Sequence, residues 1–202
     1  FSVPMLIPSI SHGMGLIILL GSNGILNKTF GWNINIYGFW GILLGSVMYS
    51  LPVAYLMLLD VLKFEDSTPY EAAEVLGLSK IDKFFTITLP YLRKPLISVF
   101  FATFTMIITD YGVPLMIGGK YTTLPVMMYQ DVIGMLDFGK GSVIGMVLLI
   151  PALIACLLDI MNRDKGNSAF VTKAFKIKKN VFRDVFAYIV CGLVAILLIF
   201  PI

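Results

Sequence analysis

The chain has 202 residues, 58% of them hydrophobic and only 13% charged, with mean hydropathy +0.90. That balance excludes an ordinary soluble domain, where about a quarter of residues are charged. The net charge of +3 calls for no nucleic-acid partner, and one His with two Cys cannot by themselves build a common zinc site.

Phe1 is not an initiator methionine and leads at once into an apolar run, so the sequence reads as an internal piece of a longer protein. Charge-free runs of near-bilayer length then recur, each a candidate span. The first is Val3 to Leu20, weakened by Pro4, Pro8 and His12, and the clearest is Ile36 to Leu59. Pro95 to Thr109 is short and reaches Ile117 only by including Asp110, expected near the outer end of that span. Gly141 to Leu158 and Val185 to Ile202 complete five.

Basic residues orient the spans, because Lys and Arg near helix ends stay on the cytoplasmic side. Placing 60–94 and 163–183 inside puts twelve of the fifteen there: Lys63, Lys80, Lys83, Arg93, Lys94, Arg163, Lys165, Lys173, Lys176, Lys178, Lys179 and Arg183. Lys28, Lys120 and Lys140 remain outside.

Between the second and third spans lies Tyr70 to Pro90, YEAAEVLGLSKIDKFFTITLP. Thr68 as N-cap, Pro69 at the first helical position and Glu71 at N3 predict a capping box and a helix over 69–76. Gly77 can end it in the left-handed conformation. Ser79 and Asp82 can cap a second helix reaching about Thr88, with Pro90 where the chain re-enters the membrane. On this chemistry alone, ordinary helix–turn–helix capping explains the stretch.

The order Glu71-Ala72-Ala73, Gly77-Leu78, Ile87, Leu89-Pro90 resembles the EAA loop of membrane permeases of binding-protein-dependent (type I) ABC importers. The resemblance implies an all-α, polytopic transmembrane bundle of the MetI-like kind. It implies that the first loop helix couples to a cytoplasmic ABC ATPase dimer, with Tyr70, Val75 and Leu76 giving apolar contact and Ala72 and Ala73 close approach. It implies as partners an extracytoplasmic substrate-binding protein, a second permease half and the lipid bilayer. It implies that this chain binds no cofactor, ATP and Mg being used by the ATPase. No GxxxxGK[ST] P-loop is present, in keeping with a separate energy source.

Gly41-Gly45 and Gly141-Gly145 give GxxxG spacings that favour close helix packing, and Pro52 and Pro151 favour kinks. His12 and Asp110 are the ionisable residues that stand out within spans. His12 reads as a neutral histidine bonded to a neighbouring helix, or as part of a substrate pathway. Asp110 and Tyr111 read as an interfacial group, or as the outer mouth of that pathway. Pro114 and Gly118-Gly119 imply a break and a turn. Asp110 through Leu124–Gln130 resembles permeases for ferric iron, aminophosphonates and polyamines more than the sulfate and molybdate branch.

Residues 162–183 form a basic linker before the next apolar run. This resembles fused ferric-iron and aminophosphonate permeases, with residues 1–161 as a first half and 184–202 opening a second; the alternative is a single-half permease with one extra helix. Cys156 and Cys191 read as small apolar residues. Two other classes compete: a membrane enzyme using His12 with an intramembrane serine such as Ser9 or Ser11, and an ion-driven transporter, which predicts carboxylates deep in the spans. The EAA loop has a role in neither.

Overall fold

A computed structural model describes residues 6–31, 35–63, 65–162 and 181–199, and among them the fold is helical with no strands. The helices are α1 (Ser9–Leu20), α2 (Ile25–Phe30), α3 (Phe39–Lys63), α4 (Thr68–Val75), α5 (Lys80–Lys83), α6 (Leu89–Ile108), α7 (Gly112–Ile117), α8 (Leu124–Tyr129), α9 (Phe138–Asn162) and α10 (Val181–Ile199). Single π turns at Phe84–Thr88 and Gln130–Gly134 join α5 to α6 and extend α8. Four segments of the described residues are long and apolar enough to cross a membrane: Ser9–Phe30, Phe39–Lys63, Lys80–Ile108 and Phe138–Asn162. Residues 185–199 of the fifth expected run lie in α10, whose Val194 packs against the core beside α1 and α3, and 200–202 lie outside the described residues. Of the linker, 163–180 lie outside the described residues, as do Val3 and Pro4 of the first run.

The core is built around α7, a six-residue helix wedged between α1 and α3. Val113 and Ile117 are fully buried, and Ile117 joins Leu16, Ile36 and Met48 in one apolar cluster. Glycines make the wedge possible. A Cβ on Gly45 would come 2.5 Å from Val113 Cγ1, and one on Gly41 would come 2.3 Å from Ile117 Cγ2 and 1.8 Å from the Ile36 carbonyl oxygen. The Gly41-Gly45 pair therefore admits the re-entrant helix rather than another full span. In the second pair, a Cβ on Gly141 would come 2.1 Å from Val132 Cγ2, whereas Gly145 has its nearest neighbour at 3.6 Å, an ordinary contact.

This wedge corrects the expected place of Asp110. Helix α6 ends at Ile108, and the chain breaks at 109–111 before α7 continues toward the outer end of α3, where the Gly38 amide donates to the Ile117 carbonyl at 2.8 Å. Asp110 shares a cavity with Ser46, near the middle of the apolar run over 36–59. At about 1.5 Å of rise per residue, that lies roughly 10–15 Å below the first turn of α3. Asp110 is thus at mid-depth. Hydropathy misplaced it because α6 is the upper part of a continuous helix beginning at Lys80, so much of its length is spent before the apolar run starts.

At the opposite end the long helices are cross-tied. The Tyr91 hydroxyl donates to the Val61 carbonyl at 3.3 Å, joining α6 to α3, and Asn162 Nδ2 donates to the Lys94 carbonyl at 2.8 Å, joining α9 to α6. Large parts of α6 and α9 are otherwise apolar and exposed, as membrane-spanning surfaces are.

Candidate functional site: the α4 loop and the mid-membrane break

Helix α4 starts one residue earlier than the sequence indicated. Thr68 is its first residue, not its cap, and its amide and hydroxyl both donate to Asp66 Oδ1, at 3.0 and 2.8 Å. The predicted Thr68–Glu71 capping box is replaced by this Asp66 turn and by Ser67, whose hydroxyl faces Glu71 Oε1 at 3.5 Å. Three successive cap-competent residues, Asp66, Ser67 and Thr68, made the register ambiguous in sequence.

The far end of α4 forms as read. Gly77 has φ +72°, and the Gly77 and Leu78 amides donate to Glu74 and Ala73 carbonyls at 3.1 and 3.0 Å. These two bonds are a Schellman cap, which a residue with Cβ adopts only with strain. A capping box then starts α5: Ser79 Oγ accepts from the Asp82 amide at 3.2 Å, and Asp82 Oδ2 accepts from the Ser79 amide at 3.3 Å.

The two faces of α4 differ. Ala73 is 3% exposed and points into the loop, so of the alanine pair only Ala72 is presented outward. Val75 and Leu76 are 89% and 78% exposed, and with Glu71 and Ala72 they form an outward face at helical i, i+4 spacing. Tyr70, expected among the contact residues, turns back instead. Its hydroxyl is bonded to the Glu65 carboxylate and lies 2.6 Å from the Thr88 hydroxyl. Burial first, then the bond to Glu65, push its phenol up to about 12, so it remains a neutral donor through the physiological range. Ile87 lies half-buried in the π turn, and Leu89 and Pro90 form the first turn of α6. The second part of the motif is thus the base of a long helix, and Thr88 faces back to the first part.

The structure brings the mid-depth polar residues together in part. Asp110 accepts from the Gly112 and Val113 amides, both at 3.2 Å, capping α7, and from the Ser9 hydroxyl of α1. It also borders a 310 Å³ cavity with Ser46 and Thr123. Tyr111 stacks on Tyr129, ring centres 5.2 Å apart, at the wall of an apolar 520 Å³ cavity between the break after α6, α8 with its π turn, and α9. His12 is wholly buried and lines neither cavity. Its Nδ1 lies 3.3 Å from the Pro8 carbonyl of its own segment, and its ring meets Tyr49 edge-on at 5.9 Å, so its bond is not to a neighbouring helix. Cys156 and Cys191 are free thiols, and no cluster of three His, Cys, Asp or Glu exists among the described residues.

Four helices long and apolar enough to cross a membrane, linked by short helices, define a multi-pass membrane protein. The chain belongs to the family of binding-protein-dependent transport system inner membrane components, which it matches over residues 1–163. It is similar to a ferric transport system permease protein of Actinobacillus pleuropneumoniae, 28% identical over 91% of this chain and 28% of the relative. It is also similar to a thiamine transport system permease of Haemophilus influenzae, 28% identical over 76% of this chain and 30% of the relative. A molybdenum transport system permease of Azotobacter vinelandii is 29% identical over 82% of this chain and 76% of the relative. The chain therefore spans less than a third of the ferric and thiamine relatives' length. The ferric relative matches over a larger share of this chain than the molybdenum relative, 91% against 82%, in keeping with the resemblance to ferric permeases. No solved structure matches the chain.

Proposed function

We propose that this chain is part of the permease subunit of an ATP-driven importer, forming translocation pathway rather than catalysing a reaction. In this reading α4 lies on the cytoplasmic side and seats its outward face on an ABC ATPase dimer, which binds and hydrolyses MgATP. An extracytoplasmic binding protein delivers substrate, and a second permease half, supplied by the same full-length chain after 162–183, completes the pore. Ferric iron or an aminophosphonate is the substrate class retained, on the strength of the ferric relatives and the Asp110–Gln130 resemblance. Of the pathway candidates, Asp110 and Tyr111 border cavities and keep that role, while His12 becomes a packing residue.

The observation that carries the coupling role is the outward face itself. An isolated eight-residue helix has no stability of its own in water, yet α4 holds Val75 and Leu76 almost fully exposed because its ends are capped and its inner face is tied to the loop. Exposed apolar residues on a braced, capped helix suit a protein partner.

Asp110 at mid-depth removes one argument made against an ion-driven transporter, since a deep carboxylate is present after all. Its oxygens are already occupied by Ser9 and by two amides of α7, and the family match runs through the same residues. The importer reading stands.

The test is co-purification of the full-length protein with its ATPase from detergent, comparing wild type with Glu71→Lys. Charge reversal on the outward face should cost at least about tenfold in retained ATPase, the scale of one interfacial charge contact. Full retention by a folded Glu71→Lys protein would remove Glu71 from the docking face.

A further inference from the structure

The EAA-like motif consists of two separated parts, and one side chain physically connects them. Tyr70 immediately precedes Glu71-Ala72-Ala73, and Thr88 lies between Ile87 and Leu89-Pro90. The Tyr70 hydroxyl is held between the Thr88 hydroxyl, 2.6 Å away, and the carboxylate of Glu65, just beyond the end of α3. One phenol therefore meets three structures at once: α4, the segment following α3, and the base of α6. A further side-chain link from α4 to this region is the Glu74–Lys83 ion pair at 3.9 Å, with Glu74 74% exposed, a geometry that contributes little.

Thr88 is also the last residue of the π turn Phe84–Thr88. A π turn is a local irregularity in the backbone ladder, and such turns recur at functional sites. Phe84 and Phe85 are 48% and 61% exposed, so little packing stiffens the turn from outside. A displacement of α4 that acted only through the chain connection at Gly77–Ser79 would be absorbed there. The Tyr70–Thr88 contact bypasses that connection and reaches the last residue of the turn, the N-cap of α6, while Glu65 provides the counter-hold toward α3.

We infer that Tyr70 is a positioning residue for energy coupling: its hydroxyl, clamped between Glu65 and Thr88, transfers movement of α4 to α6. This inference rests on the coupling role assigned to α4 above. It assigns Tyr70 no contact with the ATPase and no contact with substrate. It requires a phenol that stays protonated, donating its one hydrogen to Glu65 and accepting from the Thr88 hydroxyl, so Tyr70→Phe or Thr88→Val breaks the clamp, while Thr88→Ser keeps it.

The experiment uses the full-length permease assembled with its ATPase in nanodiscs, in a background with every native cysteine replaced, Cys156→Ala and Cys191→Ala among them. Nitroxides on Phe100→Cys of α6 and Ile18→Cys of α1, both outward-facing, report the position of α6. Their distance is measured without nucleotide and after trapping with MgATP and vanadate, so no transport substrate is needed. The unmodified clamp should give a clear nucleotide-dependent shift. Tyr70→Phe and Thr88→Val should lower the shifted fraction about five- to tenfold, the scale of one hydrogen bond, with the ATPase still bound and still hydrolysing ATP. Thr88→Ser should restore the shift. An undiminished shift in Tyr70→Phe, or equal loss in Thr88→Val and Thr88→Ser, overturns the clamp. If Tyr70→Phe fails to assemble, the Val–Ser pair at 88 carries the same comparison. Absence of bound ATPase in wild type would instead defeat the coupling role of α4, a failure distinguishable from that of the clamp.

Discussion

At the scale of single residues, Asp110 carries a heavy structural duty. Its carboxylate is the acceptor for two backbone amides at the start of α7 and for Ser9 of α1. Asp110→Ala should leave all three donors unsatisfied and lower stability by about 2–4 kcal/mol, read as a fall in Tm of the detergent-solubilised protein. Asp110→Asn keeps an acceptor oxygen and should lose about half as much. An unchanged Tm in Asp110→Ala would show that the cap contributes nothing. The sequence marked Asp110 as unusual but gave neither its depth nor its partners, because Ser9 is 101 positions away and local pattern carries no long-range pairing. Gly77 is the opposite case. The left-handed turn was legible because only glycine adopts it without strain, and the relevant bonds all lie within five residues. Thr68 shows the limit of even local reading: three adjacent residues could each serve as cap, and the Asp66 contacts decided the register.

At the scale of elements, the two GxxxG pairs look alike in sequence and differ in structure. Gly41 faces the Ile36 carbonyl and the buried Ile117, neither able to retreat, whereas a methyl group at Gly145 would meet only the end of Met128 at an ordinary distance. Gly41→Ala should therefore displace α7 and destabilise by about 1–3 kcal/mol, while Gly145→Ala should fall within about 0.5 kcal/mol of wild type. Thermal melts of the two variants in the same detergent decide it, and equal effects would refute the wedge. Span existence was readable from apolar runs, and α3 and α9 were each found within a few residues of their expected place. The re-entrant α7 was not, because the apolar stretch up to Ile117 reads equally as the tail of the third run carried past Asp110 or as a break at Pro114; its separate helix follows from burial between α1 and α3. The π turns carried no signal, since their bonding differs from an α-helix by one residue and every residue in them is compatible with both.

For the molecule as a whole, the loop helix α4 and the turn after α7 lie at opposite ends of α3, joined by a helix of 25 residues. A 25-residue helix is about 37 Å long, enough to cross the hydrocarbon core, so the two ends must face different compartments if the chain is inserted as its charges demand. Val75 and Tyr121 report those ends, being 89% and 61% exposed. In a background lacking Cys156 and Cys191, Val75→Cys should react with a membrane-impermeant maleimide only in inside-out vesicles, and Tyr121→Cys only in right-side-out cells or spheroplasts. Bound ATPase should also protect Val75→Cys, because the residue lies on the outward face of α4. Labelling of both positions from one side would invert or break the topology, and with it the access of any cytoplasmic ATPase to α4. Labelling as expected without protection would keep the topology and move the docking surface off Val75. The whole-molecule experiment thus separates the arrangement of the spans, which charge asymmetry already foretold, from the use of the loop, which depends on how one short helix divides its residues between an inner and an outer face.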